Sequence, residues 1–216
     1  VCLFESVIGG EKIGRFSILA TDPFMEIHAS GQQVTLVHGE ERKTYHCDNP
    51  LNELRDLVAG FQVAELDELP PFSGGVIGYA GYDVVRYEES LPDAPHDDRQ
   101  IPDMTFGFYD SLVVFDNINK TLFVIVMARP EMYDGDVQAA YAAAAARVDG
   151  LVVRLADVPA ALSMDDIAAV SAEVDVSYES NFTPEKFQDA VAKCVEYIEA
   201  GDIFQVVISQ RLELAM

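Results

Sequence analysis

The chain has no tryptophan, only three cysteines, and 14 lysines and arginines against 37 aspartates and glutamates in its 216 residues. Each scarcity excludes a class of protein. Cys2, Cys47 and Cys194 are odd in number and show no C-x-x-C spacing, so neither a disulfide framework nor a zinc site is supported, and they are expected to be reduced and structural. A formal charge of −23 repels phosphate backbones and anionic headgroups, which argues against nucleic acid and membrane as partners. Such acidity reads as a solubility device, as in a salty cytoplasm. No apolar run approaches the ~18 residues a membrane span requires, and the N-terminus lacks a basic-then-apolar signal pattern, so a cytoplasmic protein is expected. No G-K-[S/T] follows the glycines at 74, 75, 78 and 81, and no G-x-G-x-x-G occurs. Those glycines read as close backbone packing, not as a phosphate cradle. His96 beside Asp97 and Asp98 is a loop neighbourhood, and adjacent loop residues rarely converge on one ion.

What is present is ample apolar material, 50% of the chain, enough for a core. Between residues 1 and 46, short apolar runs recur about every ten residues, at Val1–Val7, Arg15–Ala20, Phe24–Ala29, Val34–Val37 and Lys43–His46. Gly9-Gly10, Asp22-Pro23, Ser30-Gly31 and Gly39 punctuate them, which predicts antiparallel strands. Asn49-Pro50 is an N-cap and first-position pair. Leu51, Leu54, Leu57, Val58 and Phe61 follow at helical spacing, predicting a helix over one side of the sheet. Gly74–Tyr79 reads as a strand, Tyr82–Tyr87 as a short helix and Leu91–Pro102 as a surface loop. Phe106–Phe115 and Leu122–Ala128 read as two strands joined through Asp116–Lys120, the clearest hairpin in the chain. From Asp136 the period becomes helical. Val137, Ala140, Tyr141, Ala144, Val148, Leu151, Val152 and Leu155 mark one face, with Arg147 and Arg154 expected to point outward. Residues 157–181 hold six acids and no basic residue, and are expected to link a domain over 1–156 to a second unit over 182–216.

That second unit opens with a further cap, Thr183 before Pro184. Phe187, Ala190, Val191, Cys194 and Ile198 then predict a helix with a buried face. Gly201 sits where a helix end requires a left-handed residue, and Ile203–Ser209 is a β-branched run expected to form a buried strand.

The wording of this unit, YIEAGDIFQVVISQR, closely resembles the opening of the chorismate-binding domain in the anthranilate synthase component I family. LFES (Leu3–Ser6), GGEKIGRFS (Gly9–Ser17) and GGVIGYAGYDVVRYEE (Gly74–Glu89) are similar to segments of that family's N-terminal domain, in the same order. The resemblance implies an α+β fold, antiparallel sheets flanked by helices. It implies an enzyme making anthranilate and pyruvate from chorismate with Mg²⁺. The ammonia would come from glutamine through a separate amidotransferase subunit, and L-tryptophan would inhibit by feedback. It places Glu5 and Ser6 in the tryptophan pocket, where a carboxylate can accept from an ammonium and a hydroxyl can donate and accept. Arg15 and Ser17 are the second candidates for its wall. Chorismate is an anion, so local basic groups, not the net charge, would have to attract it.

Gln205 matches a position that is a lysine general base in related enzymes that hydrate chorismate. A neutral amide cannot take up a proton near pH 7, which fits an ammonia nucleophile. The alternative for Gln205 is a buried amide that only satisfies backbone groups. The family's metal-binding glutamates and catalytic histidine lie beyond the point matching Met216, so the chain is expected to be an inactive N-terminal portion with no metal ligands of its own. Two alternatives stand beside this reading. One is aminodeoxychorismate synthase component I, against which LFES with GGEK and FQVV lean; the other is a non-catalytic tryptophan-binding or docking module.

Overall fold

The computed structural model describes residues 1–8, 12–64, 66–157 and 177–214. These fall into two compact units, Val1–Leu162 and Ser163–Met216. The expected linker lies mostly outside the described residues, as does the Gly9-Gly10 turn.

In the first unit every strand signal before residue 50 becomes a strand: β1 (Cys2–Ile8), β2 (Lys12–Ala20), β3 (Met25–Ser30), β4 (Gln33–His38) and β5 (Glu41–His46). After them come α1 (Pro50–Ala59) and β6 (Gly75–Ala80), a 3₁₀ turn over Tyr82–Tyr87, β7 (Met104–Tyr109), β8 (Ser111–Asp116), β9 (Thr121–Val126) and α2 (Val137–Ala156). All pairings are antiparallel. The strands form a four-stranded sheet in the order β1-β2-β8-β9 and a five-stranded sheet in the order β5-β4-β3-β7-β6. The fold is therefore α+β, antiparallel sheets flanked by helices.

The run 106–115, read as a single strand, is broken at Asp110. Its first half pairs with β3 and β6, and its second half pairs with β2 and β9 in the other sheet. The side chains of β7 consequently feed two cores by simple alternation. Phe108 packs with Ile27, Ala29, Val34 and Met104, covered by Leu51, Leu54 and Leu57 of α1. Tyr109 joins Ile77, Leu112, Val114 and Ile125 in the second core. Gly78 permits the β6–β7 contact, because a Cβ there would stand 2.0 Å from the Thr105 carbonyl oxygen and 2.6 Å from the Phe106 Cα.

Helix α1 begins at the expected cap, Asn49, and α2 is capped by Asp136, where the helical period starts. Asn49 Oδ1 accepts from the Leu51 and Asn52 N–H groups, and Asp136 Oδ1 accepts from those of Gln138 and Ala139. The buried side of α2 is narrower than its pattern implied. Ala140 and Ala144 are buried, while Val137, Tyr141, Val152 and Leu155 are exposed. Small side chains allow the helix to lie close to β9, which leaves the larger residues flanking that line in solvent.

In the second unit α3 (Pro184–Ala200) is capped by Thr183, whose Oγ1 accepts from the Lys186 N–H, and closed by Gly201 at φ +82°. Phe182 packs edge-on against Phe187 at 5.7 Å, a hydrophobic staple across the helix start. Two expectations fail here. The residues of α3 are at best half-buried, Val191 and Ile198 being more than 40% exposed. Ile203–Ser209 is irregular; among the described residues of this unit, only Leu212–Glu213 (β11) pairs, with Glu179–Ser180 (β10). A β-branched run becomes a strand only where a neighbouring edge takes its N–H and C=O groups, and no described residue offers 203–209 such an edge. Among the described residues, no helix is long and apolar enough to cross a membrane.

Candidate functional site

β1 and β2 run antiparallel with Glu5 directly opposite Ser17, and the register then slips so that Val7 faces Ile13. Ser6 alone therefore stands against Gly14, Arg15 and Phe16, a bulge of the kind that re-aims side chains at a strand end. The side chain of Ser6 lies outside the described residues. Glu5 is exposed, on the first strand of its sheet.

The β2 side of this corner is held by the turn after β8. The Arg15 guanidinium donates to Asp116 Oδ2 from Nε at 3.2 Å and from Nη2 at 3.0 Å. Asp116 Oδ1 accepts from the Ile118 and Asn119 N–H groups, both at 3.0 Å, and Oδ2 accepts from Asn119 Nδ2 at 2.9 Å. The Asn119 N–H and the Arg15 guanidinium together pull the Asp116 carboxyl down to a pKa of about 2, against a smaller opposing effect of desolvation. Asn117 completes the clamp. Its Nδ2 donates to the Gly14 carbonyl at 3.0 Å and to the Ser17 hydroxyl at 3.1 Å, and its N–H donates to the Arg15 carbonyl at 2.7 Å.

The structure thus gathers Glu5, Arg15 and Ser17 on one strand pair, but in different states. Ser17 is buried and accepts a hydrogen bond, and the charge of Arg15 is engaged by Asp116, although the side chain is 52% exposed and its guanidinium lies 4.7 Å from the Phe16 ring centroid. Glu5 presents its carboxylate to solvent, where it can accept from a ligand ammonium. Gln205 belongs to the second unit, exposed in the irregular stretch after α3.

Sequence reasoning missed Asp116 and Asn117, which it read only as hairpin turn. The signal was there: an Asp followed by polar residues at a strand end bonds its own backbone two and three residues on. It also missed the ion pair that joins the two sheets to α2. Arg147, expected to point outward, reaches both oxygens of Asp110, because a carboxylate 5% exposed needs a charged partner more than a half-exposed guanidinium needs water.

Among the described residues, no three His, Cys, Asp or Glu side chains converge as they would around a metal ion.

The comparisons with known proteins agree over nearly all of the chain. A family model described as "chorismate binding enzyme" matches residues 5–216. Anthranilate synthase component 1 of Acetivibrio thermocellus is 34% identical over 214 residues, covering 97% of this chain and 42% of that protein. Anthranilate synthase alpha subunit 2, chloroplastic, of Arabidopsis thaliana is 37% identical, covering 98% of this chain and 36% of its own length. The crystal structure of anthranilate synthase component I from Streptococcus pneumoniae TIGR4 superposes with a TM-score of 0.70 at 30% identity, over 92% of this chain and 41% of that one. The chain spans about two fifths of the length of these relatives. It belongs to the chorismate binding enzyme family.

Proposed function

We propose that this chain is the N-terminal part of an anthranilate synthase component I. The complete protein would form anthranilate and pyruvate from chorismate and glutamine-derived ammonia in tryptophan biosynthesis, as a Mg²⁺-dependent cytoplasmic lyase working with an amidotransferase subunit. The observation that carries this reading is an alignment that runs through 97% or more of the chain with proteins named anthranilate synthase. The role of this portion would be regulatory. Glu5 and Ser6, at the bulged start of the first sheet, would contact L-tryptophan, the carboxylate of Glu5 accepting from the ligand's ammonium. The clamp of Asp116 and Asn117 on β2 would keep the opposite strand rigid, so that ordering the pocket costs little on binding.

The test uses the complete synthase and its Ser6→Phe variant, with chorismate, Mg²⁺ and ammonium, reading anthranilate by fluorescence while L-tryptophan is titrated. Uninhibited turnover should survive the substitution and feedback inhibition should weaken at least ~10-fold, since a bulky ring in a small polar pocket repels one ligand without touching the chemistry. Unchanged inhibition removes the pocket assignment, and aminodeoxychorismate in place of anthranilate removes the synthase assignment. The 216-residue chain alone should make no anthranilate.

A further inference from the structure

A cavity of about 790 Å³ lies in the first unit, lined by the end of α1, the segment that follows it, and residues of β6, β7 and β9. It shares no residue with the Glu5, Ser6, Arg15 and Ser17 corner. Phe24, Phe61 and Phe108 make its aromatic wall, with ring centroids 5.6 to 6.2 Å apart. One edge is polar. Arg129, only 15% exposed, stacks its guanidinium 3.9 Å from the Phe24 ring centroid and pairs with Glu131 through Nε at 2.8 Å and with Asp110 through Nη1 at 3.8 Å. Both Asp110 oxygens are already taken by Arg147. Around the mouth, Val63 and Leu66 are 49% and 59% exposed.

We propose that this cavity is a binding site for an uncharged aromatic molecule of one or two rings bearing a hydrogen-bond acceptor. Its volume lies within the ~300–1,000 Å³ typical of small-molecule sites, and an apolar body with one fixed polar group is their usual make-up. The charges on its wall decide the ligand's charge. Asp110 is balanced by Arg147 and Glu131 by Arg129, so the wall holds no uncompensated charge, and a ligand carboxylate or ammonium would be buried without a free counter-ion. Arg129 donates to Glu131 through Nε, and its Nη1 stands 3.8 Å from Asp110, beyond hydrogen-bond distance, so the guanidinium is the donor this wall offers a carbonyl or hydroxyl oxygen.

The test titrates the 216-residue chain with 2-naphthol, followed by naphthol fluorescence, which no tryptophan of the chain obscures. 2-Naphthoate is the charged comparison. Ala64→Phe and Ala128→Phe fill the cavity from two exposed wall positions, each checked by its melting curve. The expected result is saturable one-site binding of 2-naphthol, weakened at least ~10-fold in each folded variant and at least ~10-fold weaker for 2-naphthoate. Non-saturable binding, equal affinity for naphthoate, or full affinity in a folded variant overturns the proposal. So does a chain that sediments as a dimer and becomes monomeric in the variants, which would make the cavity a contact between copies. None of these readouts depends on anthranilate synthesis.

Discussion

Asp110 accepts from Arg147 at 3.0 Å from Nη1 and 2.7 Å from Nη2, across 37 residues of chain. The carboxylate stands where the chain leaves the five-stranded sheet for the four-stranded one, and the guanidinium comes from the middle of α2. One ion pair therefore joins both sheets to the helix. The contact also raises the proton affinity of Arg147, its hydrogen bonds to Asp110 outweighing desolvation.

Removing only the cation should be the expensive change. Arg147→Met leaves a buried carboxylate with Arg129 alone, at 3.8 Å, and should cost about 2–3 kcal/mol. Adding Asp110→Asn removes the stranded charge and should restore about 1 kcal/mol or more, which urea unfolding of the two singles and the double would measure. A double variant no more stable than Arg147→Met would show that the pair does not couple.

Gly78 and Gly135 should respond to alanine in opposite degree. At Gly78 the new Cβ would collide with backbone of β7, which cannot move without breaking the β6–β7 pairing, and a loss of about 3 kcal/mol or failure to fold is expected. Gly135, at φ +85°, has nothing within 4 Å of a Cβ, so only backbone strain opposes the change, at about 1 kcal/mol. Comparable melting temperatures for the two variants would contradict the packing role given to Gly78.

Acid stability should report on Asp116. Its carboxyl has a folded pKa of about 2, below the unfolded value of ~3.9, so its stabilisation is complete above about pH 4 and is lost as pH falls toward 2. Asp116→Asn removes that contribution. The difference in urea midpoint between parent and variant should therefore be constant above about pH 4 and shrink below it. A difference that stays flat down to pH 2 would mean that the charge is not what holds Arg15 and the turn.

Gln205→Lys, in the complete synthase, should lower anthranilate formation and raise the share of hydrated chorismate product. Ammonia arrives with its lone pair ready, whereas water needs a base, and a lysine of lowered pKa could supply one. A well-placed base contributes typically ~10²–10⁴-fold, but only with water oriented beside it, so a gain at or below the low end is expected. Chromatography of the products made without ammonia checks this. Normal ammonia-dependent activity with no hydroxylated product would place Gln205 away from the nucleophile.

The sequence by itself determined the elements whose causes lie within a few residues. Asn49, Asp136 and Thr183 cap their helices because the accepting oxygen and the orphan N–H groups are two or three positions apart. The first five strands and the β8–β9 hairpin follow from alternation between turn residues, and the order of LFES, GRFS and GDIFQVV placed the chain in its family. Only the tertiary structure decided what depends on partners far along the chain. Asp110 divides one β-forming run between two sheets, Arg147 turns inward to it, and Arg15 meets Asp116 across 101 residues. Ile203–Ser209 has every local mark of a strand and remains irregular. A run of β-branched residues sets only what a segment is able to pair with; the hydrogen bonds that make it a strand belong to the neighbouring edge, and that edge is supplied by the fold.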